Sequence, residues 1–272
     1  MKANDSKYLK FIDKGLELAK SIPRYFSRYS NKIFCNHQKI VLLVLKQKLR
    51  TTYRDLIEIL KISHIPILIG LKRIPHHTTL VKFSKKIKPK MLNLLLPYRK
   101  AKMVGLDGTG FEVENKSMHY QMRTARCSYR RYIKLGVSAD LDKQIILRNA
   151  VYKGPRNDNK DFNSLLKGIK TKYVAADRGY DSYEHHRFVF TKLNAMSLVK
   201  TKHYACKKGK SFSFRNKAKA LFDEKKYHQR SKVETIFSVI KRKYGSCLKA
   251  VSYTHLRAHE TSLHLVCRLL LE

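Results

Sequence analysis

The sequence predicts an α/β fold: a mixed sheet flanked by helices, preceded by a separate helical region. Three observations predict it. Two apolar runs, MVGLD (103–107) and KYVAAD (172–177), each end in an acid. RRYIKLGVSADL (130–141) and QIILRNAVY (144–152) alternate apolar and polar residues, as the two strands of a hairpin do. Before about residue 95, apolar residues recur at helical spacing instead.

The elements follow in order. Leu9, Phe11, Ile12, Leu16 and Leu18 give a first helix that stops at Pro23. Residues 40–49 give a second helix and residues 52–60 a third. Thr52 followed by Asp55 has the form of a capping box. His77-Thr78-Thr79 opens a fourth helix, whose apolar face is Leu80, Val81 and Phe83. Two architectures fit residues 1–95: a helix-turn-helix-like DNA module and a plain helical bundle. KKIKPK (85–90) marks the end of this region. Residues 101–250 then read strand, strand, strand, helix, strand, helix, strand, helix. MSLVKT (196–201) is the last strand, and one helix runs from Glu224 to Tyr244.

Composition narrows the partners. The chain has 59 Lys plus Arg against 20 Asp plus Glu, a net charge of +39. A polyanion relieves the self-repulsion of such a chain, so nucleic acid is the expected partner. The basic residues are spread along the sequence, which favours an extended surface over a basic tail. No basic amphipathic helix with a broad apolar face supports a membrane surface. No signal peptide and no bilayer-length apolar run is visible. The five cysteines stand far apart without a CxxC pair, which argues against structural zinc and a disulfide framework. A reducing cytoplasm, in association with the nucleoid, is the expected location.

Because acids are scarce, each acid in an apolar setting is informative. Asp107 and Asp177 end their apolar runs, and in open α/β sheets ligands collect at the carboxyl ends of strands. Oxygen donors without a Cys or His cluster suit a hard cation, Mg²⁺ or Mn²⁺. Asp140, Asp142, Asp158 and Asp181 are read as turn or surface residues. In YHQRSKVETIFSVIKRK (227–243), a helix advancing about 100° per residue puts Arg230 at about 300°, Glu234 at about 340° and Lys241 at about 320° from Tyr227. The four polar residues therefore share one stripe beside the apolar stripe of Val233, Ile236, Phe237 and Ile240. A solvated face with an Arg230–Glu234 ion pair explains that stripe equally well when it is taken alone. Together, however, Asp107, Asp177 and Glu234 form the carboxylate inventory of a two-metal phosphoryl-transfer site. Tyr, Arg and Lys on the same face suit the grip on a phosphodiester strand.

These residues resemble the DDE insertion-sequence transposases, which have an RNase H-like core. Tyr227, Arg230, Glu234 and Lys241 match the family signature of Tyr, two residues, Arg, three residues, Glu, six residues, Lys. VGLDGTG (104–110) and AADRGYDS (175–182) resemble the two aspartate blocks, and IPHHTTLVKF (74–83) is similar to part of the helical N-terminal domain. The resemblance implies that Asp107, Asp177 and Glu234 bind two divalent ions and that Tyr227, Arg230 and Lys241 contact transposon-end DNA. It also implies a homodimer on double-stranded DNA, strand cleavage by water, and attack of the freed 3′-hydroxyl on target DNA. Arg123, Arg126, Arg130 and Arg131 are further candidate phosphate contacts, which an exposed basic strand face explains as well. Two other functions fit the same residues: a nuclease that cuts without joining, and a non-catalytic DNA-binding remnant of a decayed element.

VSYTHLRAHETSLHLVCRLLLE (251–272) resembles something else, the translation of a sequencing adapter. VSYTHLRAHET corresponds to a transposon-end adapter, LVCRLLL to a flow-cell primer, and Ser262 to His264 to the index between them. The expectation is that the natural sequence continues differently past about Ala250, so His255, His259, His264 and Cys267 enter no site.

Overall fold

The computed structural model describes residues 6–87, 91, 93–95, 100–114, 132–153, 157–202 and 214–249. Arg123, Arg126, Arg130, Arg131 and the segment 251–272 lie outside them. The chain divides into two compact units, Met1–Pro97 and Tyr98–Lys249.

The first unit is helical: α1 (Lys7–Ala19), α2 (Asn36–Leu49), α3 (Tyr53–Lys61), the short α4 (Ile65–Leu68) and α5 (His77–Lys86). The Thr52 hydroxyl accepts from the Asp55 N–H, and the Asp55 carboxylate accepts from the Thr52 N–H, completing the expected capping box of α3. Cys35 and Gln38 form an equivalent box at α2. No Ser, Thr, Asp or Asn occupies that cap, so residue preference gave no sign of it. Ile40 to Leu45 are all buried, which makes α2 the centre of this unit.

The second unit is built on one mixed sheet. Its strands are β1 (Met103–Glu114), β2 (Tyr132–Asp140), β3 (Ile145–Lys153), β4 (Tyr173–Ala176), β5 (Met196–Val199) and β6 (Cys247–Lys249). The order is β3-β2-β1-β4-β5, with β6 pairing β1. β2 runs antiparallel to both β1 and β3. β4 runs parallel to both β1 and β5, and β6 runs parallel to β1. Among the described residues, five helices accompany the sheet: α6 (Phe162–Leu166), α7 (Tyr183–Lys192), α8 (Phe214–Ala220), α9 (Glu224–His228) and α10 (Ser231–Tyr244). This is the α/β, RNase H-like layout expected from the sequence.

Side chains alternate across a strand, so β1 has two working faces. Val104 and Leu106 join Val174, Ala176 and Val199 in a core closed by Phe162, Leu165 and Leu166 of α6 and Val189 of α7. Gly105 faces the other way, under α10. A Cβ there would stand 2.5 Å from Val233 Cγ2 and 2.6 Å from Leu141 Cδ2, so only glycine lets the helix lie this close to the strand. Val233, Ile236, Phe237 and Ile240 of α10 are buried, as their stripe predicts.

Two expectations need correction. Asp107 does not end its strand, because β1 continues to Glu114 and pairs with β2 through the glycines at 108 and 110. Antiparallel pairing on one edge carries the strand past residues that read as a turn. The expected helix from Glu224 to Tyr244 is also broken at Gln229 and Arg230. There the N–H groups of Gln229, Arg230, Lys232 and Val233 all donate three residues back, so the chain tightens to a 3₁₀-like turn.

Candidate active site

Register places the first two candidate ligands. The parallel β1–β4 ladder ends at Leu106 opposite Ala176, so Asp107 and Asp177 are the next residues on adjacent strands. By alternation, both fall on the Gly105 and Ala175 face, which α10 covers. Asp177 therefore follows the end of its strand, whereas Asp107 lies within β1 just past the point where the β1–β4 ladder stops. Asp107 lies beneath the helix with its side chain 21% exposed, and its Oδ1 accepts from the Gly108 N–H at 2.8 Å. Asp177 is exposed and leads into the 3₁₀ turn Arg178–Tyr180.

α10 brings the rest. Arg230, at its first turn, reaches Asp107 Oδ2 at 3.8 Å and Glu234 Oε1 at 3.1 Å. The tight turn before α10 leaves Tyr227 with Arg230, because residues three apart eclipse in a 3₁₀ geometry. Tyr227 also packs its ring against Phe222 at 5.2 Å between centroids. Lys226 lies over the Tyr173 ring of β4, which ties α9 to the sheet. Further along α10, the Lys241 ammonium sits 5.6 Å from the centroid of the buried Phe111 ring. Phe111 lies two pleats past Asp107 on the same strand face. Thus Asp107, Asp177, Tyr227, Arg230, Glu234 and Lys241 are assembled on one side of the sheet.

The electrostatics are unbalanced. Burial raises the Asp107 carboxyl above its ordinary pKa of 3.8. The Gly108 N–H and Arg230 oppose that rise, while Glu234 and Asp177 add to it. Arg230 is raised as well: burial works against its charge, but Tyr227 and all three carboxylates favour it. One guanidinium facing three carboxylates leaves negative charge uncompensated in a chain that is otherwise strongly basic. A hard divalent cation with oxygen ligands complements that residue set. Among the described residues, no three His, Cys, Asp or Glu side chains already converge closely enough to hold a metal ion. The fit thus lies in the donor chemistry and the shared face, with Arg230 drawn in among the donors.

A second acid was misjudged from sequence. Asp181 does close the turn Arg178–Tyr180, but it is not at the surface: its side chain is fully buried. Its carboxylate accepts from Arg215 Nε and Nη2 at 2.7–3.1 Å, from the Lys202 N–H at 2.6 Å, and bonds His186 Nε2 at 3.1 Å. His186 Nδ1 pairs with the buried Ser197 hydroxyl at 2.9 Å. This knot joins the end of β5 and the start of α8 to α7. Asp140 is likewise buried, its carboxylate turned inward to the N–H groups of Asp142 and Lys143. Asp158 is partly exposed and pairs with Lys134 at 2.7 Å. Tyr180 lies buried behind the site, and burial together with the carboxylates around it pushes its phenol well above the ordinary range.

No helix among the described residues is long and apolar enough to cross a membrane. No curated protein matches the chain. One similar solved structure is a cryo-EM structure of a piggyBac transposase synaptic complex with hairpin DNA. The likeness has 12% identity over 97% of this chain and 73% of that chain, with a TM-score of 0.41. Residues 100–271 match the family described as the transposase DDE domain. That match takes in β1 with Asp107, the Asp177 turn and α10 with Glu234, and it spans more than half of the chain: the protein belongs to the transposase DDE domain family and is a DDE transposase.

Proposed function

We propose that this transposase cuts DNA at the ends of a mobile element and joins the freed 3′-hydroxyl to target DNA, with Asp107, Asp177 and Glu234 as metal ligands. The observation that carries this reading is the register that sets Asp107 beside Asp177 under the helix bearing Glu234. These residues would hold two Mg²⁺ or Mn²⁺ ions, which would supply charge stabilisation for the attacking and leaving oxygens of the phosphodiester. The chain's own residues bind and orient. Asp107 is a largely buried donor whose charge a cation favours. Arg230 holds Glu234 and, with Tyr227, meets a phosphate at the head of α10. Lys241, seated on Phe111, offers a second phosphate contact on the same stripe.

Duplex DNA is the partner in this reading, and the net charge of +39 supports it. Residues 1–95, Arg123 and Arg130 supply further DNA contacts in this reading, and the charge keeps the protein on the nucleoid. Each chain carries one such carboxylate set and an element has two ends, so the DNA complex holds a homodimer. Light scattering of the complex checks this, and a mass of one chain per two ends sinks the dimer.

The deciding experiment incubates element-end DNA with target DNA and Mg²⁺ and resolves the products on a gel. Joined product is expected. Free ends without joining would make the protein a nuclease. Unchanged activity in Asp177→Ala would remove that residue from the ligand set.

A further inference from the structure

The catalytic unit carries a second basic feature at the opposite end of β1. An open cleft of about 520 Å³ is lined by Lys100, Lys102, Lys143, Lys170 and Lys172, with Asp140 and Asp142. Its construction is unusual for a sheet. Lys100 bridges Lys170 in parallel, and the Ala101 N–H donates to the Lys170 carbonyl at 3.0 Å. The β1–β4 register, extended back one residue from Met103 opposite Tyr173, sets Lys102 level with Lys172. The Lys172 N–H donates to the Lys102 carbonyl at 3.1 Å. Two pairs of like charges therefore stand in matching positions on adjacent strands, an arrangement that destabilises a sheet. Lys143 enters from the β2–β3 turn, which is held to β1 by the Leu141 N–H donating to the Met103 carbonyl.

The acids offset this only in part, two aspartates against five lysines. Asp140 is 2% exposed, and its carboxylate is engaged by the turn's own N–H groups. The Thr171 hydroxyl is spent on the Lys102 and Tyr173 carbonyls. What remains is a concave, lysine-dominated surface whose repulsion a polyanion relieves.

We propose that this cleft binds the phosphate backbone of duplex DNA away from the cut. The proposal rests on the DNA reading above. From Lys102 to Asp107 is five residues of strand, about 17 Å at 3.3 Å per residue. A duplex has a phosphate every 3.4 Å along each strand, so one that reaches the carboxylates offers phosphates at this distance too. Lysine suits such a contact, which fixes position without reading sequence.

The test is the salt dependence of duplex binding, measured by fluorescence anisotropy on the full chain. Each phosphate contact contributes about 0.9 to the slope of log K against log salt. Lys102→Ala/Lys170→Ala/Lys172→Ala is expected to flatten the slope by about two to three. A charge-matched control, Lys160→Ala/Lys192→Ala/Lys219→Ala, removes lysines elsewhere in the same unit and is expected to leave the slope nearly unchanged. The cleft variant is also expected to melt no lower than wild type, because it relieves like-charge pairs, and to lose part of the Tm gain that duplex DNA gives. Slopes equal in the two variants would overturn the cleft alone. A wild-type protein that binds no duplex would overturn the DNA reading and the cleft together. Saturation by a mononucleotide at micromolar concentration would make the cleft a small-ligand site and overturn the proposal.

Discussion

Asp107 and Asp181 are both acids of the two motif blocks, yet the fold treats them in opposite ways. Asp181 is sealed and fully satisfied: Arg215, the Lys202 N–H and His186 outweigh its burial and hold its carboxyl below the usual range. Asp107 has one backbone N–H and a guanidinium at 3.8 Å, and burial wins, so its carboxyl is raised. The difference separates support from chemistry. A carboxylate whose lone pairs are all engaged by the protein has nothing left for a cation, whereas one left short of partners beside two others does.

The sharpest way to break that comparison is Asp107→Asn. Strand cleavage is expected to fall on the order of 10³-fold or more, as for one member of a catalytic unit, while thermal stability stays level or rises. A stability loss without an activity loss would reverse the assignment. Asp181→Asn is expected to do the opposite, costing about 3 kcal/mol in urea unfolding by stranding Arg215. At temperatures where the variant stays folded, cleavage should persist. Next comes Gly105→Ala, which forces a methyl against Val233 and Leu141. A cost of about 1–3 kcal/mol is expected for this overpacking. Because α10 must shift, cleavage should fall more than stability predicts, which a kcat measurement at fixed folded fraction would reveal.

The smallest effect is in pH, and its sign differs between the two acids. The raised Asp107 contributes stability below the ordinary carboxylate value of 3.8 and loses it as pH rises through its folded value. The lowered Asp181 contributes stability above 3.8 and loses it as pH falls through its folded value. His186, held below 6.5 chiefly by burial against the pull of Asp181, likewise favours the fold above that pH. Unfolding curves between neutral pH and pH 4 should show the Asp107→Asn advantage shrinking with acid while the Asp181→Asn deficit stays nearly level, shrinking only as pH falls below 3.8. Parallel curves for both variants would deny the contrast.

Much of this was legible in the sequence. Period-two alternation marked the hairpin, short apolar runs marked β1 and β4, and the Tyr227–Lys241 spacing marked the helix over the sheet. What escaped had non-local causes. The extension of β1 through Gly108 and Gly110 depends on β2, and composition there reads as a turn. The break at Gln229 contains no Pro or Gly, and it falls between Tyr227, packed on Phe222, and Arg230, paired with Asp107 and Glu234. RGYD looked like surface because the partners of Asp181 are distant in sequence, at 186, 202 and 215. The lysine cleft gathers three separate segments, none distinctive in so basic a chain.

The pairing of β6 with the far end of β1 has a temporal meaning. During synthesis Asp107 and Asp177 emerge well before Glu234, and β6 follows α10 to pair Cys247–Lys249 with Glu112–Glu114. The strands bearing both aspartates are thus made before the helix that bears Glu234. On the ligand set proposed above, cleavage is expected only from chains long enough to include α10, which a truncation ending before Ser231 would check.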